Sequence, residues 1–154
     1  MKLTRILCPT DFSDPALHAV RVAGRVARQF DAELLLVHVV TPLPPVTAPP
    51  APATYDVAAF ERQLEETARQ TLNQLIEQEL QGCGRVRPLV VQGPAAEQVT
   101  KVAEKQAVDL IVIATHGRTG WRRFIFGSVA EKVVRLAPCP VLTVPPPHEQ
   151  RQED

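Results

Sequence analysis

The sequence lacks what would tie it to a charged surface, a disulfide scaffold or a bilayer. Its 154 residues carry 17 Lys+Arg against 17 Asp+Glu, so no net charge remains at pH 7. Without an excess of positive charge there is no field to gather nucleic acid or an anionic membrane, and neither is expected as a partner. Any anion must be held by local groups. Cysteine is scarce too. Cys8, Cys83 and Cys139 are too scattered for a disulfide framework, and no Cys-x-x-Cys pair is present for a metal or redox site. A reducing, cytoplasmic location is expected. No apolar run approaches the roughly 18 residues of a membrane span. The stretch from Met1 to Pro9 has neither the h-region nor the small-residue cleavage site of a signal peptide.

What is present suffices for a core. A chain of this length buries roughly 70% of the surface its unfolded form exposes. Arg5 to Cys8 is a β-prone run, and Ser13-Asp14-Pro15 supplies a cap residue with proline at the first helical position. Leu17, Val20, Ala23 or Gly24, Ala27 and Phe30 then recur at helical spacing. Residues 33 to 40, ELLLVHVV, make an apolar run suited to a parallel strand buried on both faces. Strand, helix and strand form a βαβ unit with an expected right-handed crossover. Six prolines (Pro42, Pro44, Pro45, Pro49, Pro50, Pro52) then predict an exposed loop over 42–54.

A stripe of Phe60, Leu64, Ala68, Leu72, Leu75 and Ile76 predicts a helix from about Asp56 to Gln81, ended by Gly82 and Gly84. Arg85 to Gln92 reads as strand three, Gly93-Pro94 opens a helix to about Gln106, and Asp109 to Ala114 is strand four. Ser128 begins a helix with Val133, Val134 and Leu136 as its apolar face, and Val141 to Val144 is strand five. Five strands alternating with four helices specify an α/β fold: a three-layer, open, doubly wound parallel sheet, Rossmann-like or flavodoxin-like, with expected order 3-2-1-4-5. One domain is expected over 1–146, with a disordered tail over 147–154.

Ligands of such sheets sit beyond the carboxyl ends of the strands, where strand order reverses, which points to the segments after strands one and four. After strand one, Pro9-Thr10-Asp11-Phe12-Ser13-Asp14 holds no glycine, so the G-x-G-x-x-G dinucleotide turn is absent where it would have to lie. No G-x-x-x-x-G-K-[ST] run supplies a Walker lysine either. After strand four comes a loop with Gly117, Gly120 and Gly127, whose free amides can form an anion nest. Ser128-Val129-Ala130-Glu131 matches a capping box, and Gly127, Ser128 and Val129 at this helix start can hold a phosphate, assisted by Gly117 and by Arg118, Arg122 or Arg123. The plainer alternative is that Ser128 only caps and the glycines only turn. Trp121, Phe124 and Phe126 read as anchors of the loop on the core.

The segments ILCPTDFSDPALHAV, LLLVHVV and ATHGRTGWRRFIFGSVAEKVVRLAPCPVLTV, in this order, resemble the universal stress protein family. The family's nucleotide-binding pattern Gly-x-x-Gly-x9-Gly-Ser is similar to Ala114, Gly117, Gly127 and Ser128, with alanine at the first position. The resemblance implies an adenine nucleotide, ATP or another, with Mg²⁺. It places Pro9, Thr10 and Asp11 near ribose and adenine, and the backbone of Val39 at the adenine edge. The phosphates would lie against Ala114, Thr115, His116, Gly117, Arg118, Thr119 and Gly120 and the turn Gly127, Ser128, Val129. It also implies a homodimer paired through Val141, Leu142, Thr143 and Val144.

The residues themselves give Asp11 two readings: an acceptor for a ribose hydroxyl or adenine amino group, or a turn residue before the helix. His116 either touches a ligand or bonds to its own loop, and His38 reads as a satisfied core histidine. Hydrolysis of ATP would need a positioned water and a held metal, for which little is supplied. The expected function is therefore nucleotide binding in a regulatory, stress-response role, with no catalytic residue assigned. Two alternatives stay open: a slow ATP hydrolase using Asp11 or His116, and a structural or signalling dimer that binds no nucleotide.

Overall fold

The apolar runs become strands β1 (Arg5–Pro9), β2 (Glu33–Val40), β3 (Val86–Gln92), β4 (Leu110–Ala114) and β5 (Val141–Val144). Helices α1 (Asp14–Phe30), α2 (Val57–Glu79), α3 (Ala95–Lys105) and α4 (Ser128–Leu136) separate them. The structure is a computed structural model describing residues 2–41, 56–116 and 127–147. The proline-rich loop 42–54, the segment 117–126 and the tail from residue 148 lie outside the described residues. The strands form one sheet in the expected order β3-β2-β1-β4-β5, every pair parallel.

Successive residues of a strand face opposite sides, so one sheet makes two cores. Ile6, Leu34, Leu36 and Val112 pack with Val20 and Ala23 of α1 and Leu72 and Leu75 of α2. Leu7, Leu35, Val37 and Ile111 pack on the other face with Val99 and Ala103 of α3 and Val133 of α4. This double burial is why β2 reads as an unbroken apolar run. Each fully buried leucine of β2 contributes about 1.5–3 kcal/mol of transfer free energy.

Local chemistry sets the element ends. Ser13 caps α1, its Oγ accepting from the Ala16 amide at 3.4 Å, and helical geometry begins at Asp14. Pro15 is therefore the second helical residue, one later than expected. Asp31 ends α1 in the left-handed region at φ 51°, a position the sequence reading left without a stop signal. Asp56 caps α2 by accepting from the Ala59 amide at 2.9 Å. At Gly24 an added Cβ would stand 2.5 Å from Leu80 Cδ2, so the segment after α2 approaches α1 only because no side chain intervenes. Pro88 lies in β3, an edge strand, where a missing donor is tolerated.

The apolar face expected of α4 is corrected. Ala130 and Val133 are buried, whereas Val134 and Leu136 are 45% and 59% exposed. Val134 is turned about 100° around the helix from Val133, and Leu136 is the last helical residue. At the amino end of the sheet the Asp109 carboxylate accepts from Thr4 N (2.7 Å), Thr4 Oγ1 (2.8 Å) and Arg5 N (2.9 Å), joining the starts of β1 and β4. Among the described residues no helix is long and apolar enough to cross a membrane.

Candidate functional site

The chain runs from β1 to β2 and β3 on one side, then returns to β4 on the other side of β1. The reversal leaves a crevice beyond the carboxyl ends of β1 and β4, occupied here by a cavity of about 320 Å³. Its lining includes Pro9, Thr10, Asp11, Val39, Ala114, Thr115, His116, Gly127, Ser128 and Val129, every expected site residue that the structure describes. Gly117, Arg118, Thr119 and Gly120 lie outside the described residues, as do Arg122, Arg123 and the three aromatic residues of that loop.

The turn after β1 is held tightly. Thr10, buried, donates its amide to the Val37 carbonyl at 2.8 Å, and its Oγ1 accepts from the Phe12 amide at 3.1 Å. Phe12 takes φ 64°, a left-handed conformation uncommon outside glycine. Asp11 Oδ1 accepts from both the amide (3.0 Å) and the hydroxyl of Ser13. Asp11 thus fills its turn role, and it also borders the cavity.

Across the cavity, Thr115 is also buried. It donates its amide to the Val144 carbonyl at 2.9 Å, and its Oγ1 lies 2.9 Å from His116 Nδ1. Its carbonyl accepts from the Gly127 amide at 2.6 Å. That bond changes the expected roles. Gly127 spends its N–H inside the protein and cannot offer it to an anion; what it contributes is space, since a Cβ there would meet the Thr115 carbonyl at 3.3 Å.

The capping box is not formed. Gly127 is the cap residue of α4, with no side-chain cap bond, and Ser128 is the first helical residue and is exposed. Glu131 reaches forward to Arg135 at 3.9 Å instead of back to the cap. The first-turn amides of Ser128 and Val129 have no intrahelical acceptor, and the helix dipole adds positive potential there. Ala114 ends β4 in extended conformation, paired with Val144, so alanine meets no backbone penalty at this position.

Val39 gains its importance from register. The Val37 carbonyl points toward β1, where it accepts from Thr10, and the Val40 carbonyl points toward β3, where it accepts from Gly93 at 3.1 Å. Alternation therefore directs the N–H and C=O of Val39 to the β1 side. There pairing has already stopped at Pro9 opposite Val37, so the peptide groups of Val39 face the crevice without a strand partner.

Sequence reading missed the apolar wall: Ala16, Val37, Ala95, Val99, Ile113 and Ala130 also line the cavity. The signal for Ala95 and Val99 was available in Gly93-Pro94, which starts α3 directly above the end of β3. Among the described lining residues Asp11 is the sole carboxylate, and no group of three or more His, Cys, Asp or Glu residues is arranged for a metal. The arrangement is an apolar slot with a peptide edge at one end and an open helix start at the other.

Comparison with known proteins agrees with this architecture. Residues 2–145 match the model of the universal stress protein family. Universal stress protein MJ0531 of Methanocaldococcus jannaschii is 34% identical over 146 residues, covering 95% of this chain and 84% of the relative. The solved structure of MJ0577 superposes with a TM-score of 0.74 at 26% identity, covering 94% of this chain and 97% of that one. A universal stress protein solved with cAMP (TM-score 0.69, 20% identity, 96% and 100% covered) and one from Archaeoglobus fulgidus solved with dAMP (0.60, 24%, 93% and 98%) share the fold. With the sheet order, the sequence motifs and these matches in agreement over nearly its whole length, the chain belongs to the universal stress protein family.

Proposed function

We propose that this protein binds an adenine nucleotide in the crevice and serves a regulatory, stress-response role rather than a catalytic one. The observation that carries the reading is the span of the cavity, from the unpaired peptide groups of Val39 to the open first turn of α4. A peptide N–H beside a C=O complements adenine, whose N1 accepts and whose amino group donates; guanine presents the reverse pattern. The apolar wall between them suits a base, and the amides of Ser128 and Val129 suit a phosphate. The fold neighbours solved with cAMP and dAMP support the same ligand class. Pro9, Thr10 and Asp11 would flank the ribose. Ala114, Thr115 and His116, with Gly117, Arg118, Thr119 and Gly120 that follow them in the sequence, would hold the phosphates. Mg²⁺ would arrive on a polyphosphate, and Asp11 is the one carboxylate among the described lining residues that could face it.

The free edge of β5, where Leu142 is 40% exposed, supports a homodimer formed through Val141 to Val144. Three free thiols support a reducing, cytoplasmic setting. The test is to denature freshly purified protein, identify released nucleotide by mass spectrometry, and measure melting with added Mg-ATP and AMP. Bound adenine nucleotide, or a melting temperature that rises with either ligand and not in Gly127→Glu, is the expected result. No bound nucleotide and no shift in the unmutated protein overturns the proposal.

A further inference from the structure

We infer that His38, which also borders the cavity from β2, is a positioning residue for the turn that carries Asp11. His38 shares its face of β2 with Leu34 and Leu36, on the α1 and α2 side, where Phe12 also packs. Its Nδ1 lies 2.8 Å from the carbonyl oxygen of Thr10. A carbonyl only accepts, so Nδ1 carries the hydrogen and neutral His38 holds its lone pair on Nε2. The face of the same ring stacks on Phe12, centroids 4.5 Å apart at 28°. One imidazole thus grips the residues on both sides of Asp11, by a hydrogen bond before it and a ring contact after it.

That grip has a reason. Phe12 holds φ 64°, which an L-residue adopts only when its surroundings impose it. The bond from Phe12 N to Thr10 Oγ1 closes the turn from within, and His38 fixes it from outside. The direction in which Asp11 leaves β1 follows from both. A histidine counted as a satisfied core residue is satisfied here by the very turn that borders the cavity.

The affinity part of this inference rests on the nucleotide-binding reading; the geometric part does not, and the experiment separates them. Two variants divide the contacts: His38→Phe keeps a ring against Phe12 and removes the donor, whereas His38→Asn places an amide donor near the Nδ1 position and removes the ring. Without ligand, amide exchange at Phe12 and Ser13 should quicken about tenfold in His38→Phe and much less in His38→Asn, as for one lost hydrogen bond. AMP affinity should fall about tenfold in His38→Phe, with partial rescue in His38→Asn. Imidazole ¹⁵N shifts of the unmutated protein should show Nδ1 protonated, a measurement that holds even if a variant fails to fold. An unprotonated Nδ1, or turn amides that exchange alike in all three proteins, or equal loss in both variants, overturns the inference. If the unmutated protein binds no AMP while the turn amides still separate the variants, the proposed function fails and the positioning role stands.

Discussion

The carbonyl of Thr115 accepts the Gly127 amide at 2.6 Å, so the chain that leaves β4 returns to within one hydrogen bond of its point of departure. The segment 116–126 is thereby closed at its base whatever its own course. The same bond aims the start of α4 at the crevice and fixes how little room there is at residue 127.

Gly127→Ala tests that closeness. At φ −71° the backbone suits any residue, so the cost comes from the 3.3 Å contact with the Thr115 carbonyl alone. A loss of about 1 kcal/mol, or about 3 °C in Tm for a chain of this size, is expected. Gly127→Glu should add electrostatic exclusion of anions. Thermal unfolding without ligand, followed by nucleotide titration, separates the two effects.

Asp11→Ala and His116→Ala test whether chemistry occurs. Asp11 Oδ1 already accepts twice from Ser13, and the His116 ring is engaged with Thr115 Oγ1. Single-turnover ATP hydrolysis at saturating enzyme is expected to stay at the unmutated level in both variants. A fall of about 10²-fold or more in either would mark that residue as a general acid or base and revive the hydrolase reading.

Leu142→Lys tests the edge of β5. Leu142 is 40% exposed, so its replacement should change the stability of the protomer by less than about 0.5 kcal/mol while placing a charge on the strand that would pair. Light scattering should report a dimer for the unmutated protein and a monomer for the variant. A monomer in both cases removes the dimer.

Asp109→Asn tests the clamp at the amino end of the sheet. Hydrogen bonds from the Thr4 amide, the Arg5 amide and the Thr4 hydroxyl hold the carboxyl below its usual value of 3.8. Its stabilising contribution is therefore complete above the unfolded value and disappears as pH falls through the folded one. The variant should melt below the unmutated protein at neutral pH, and the gap should close below about pH 4. A gap independent of pH would mean that size, not charge, is what the site needs.

Much of this was readable because the sheet is buried on both faces. ELLLVHVV and DLIVIA have no polar alternation to confuse their assignment. The strand order and the crevice followed from that. Less readable were effects of register and close approach. Nothing in one dimension says that Gly127 gives its amide to Thr115, that Ser128 lies one residue past the cap, or that Val39 extends beyond the paired part of β1. Ser-x-x-Glu is a necessary pattern for a capping box, but here glycine takes the cap and the serine hydroxyl is left outside. His38 was hidden by its own neighbours, since a polar residue in an apolar strand looks like an exception to be satisfied rather than a support for the next strand's turn.

Cys8 stands in the central strand, wholly buried, with its thiol pushed up to about 12 by that burial. Alkylating reagents attack thiolate, so in the folded protein this sulfur is protected twice, by access and by protonation. Cys83 and Cys139 are only half-buried and should be consumed first. The third equivalent of reagent then becomes a clock on the opening of the sheet itself: its uptake reports how often β1 separates from β2 and β4, and a ligand held in the crevice at the end of that strand should slow it.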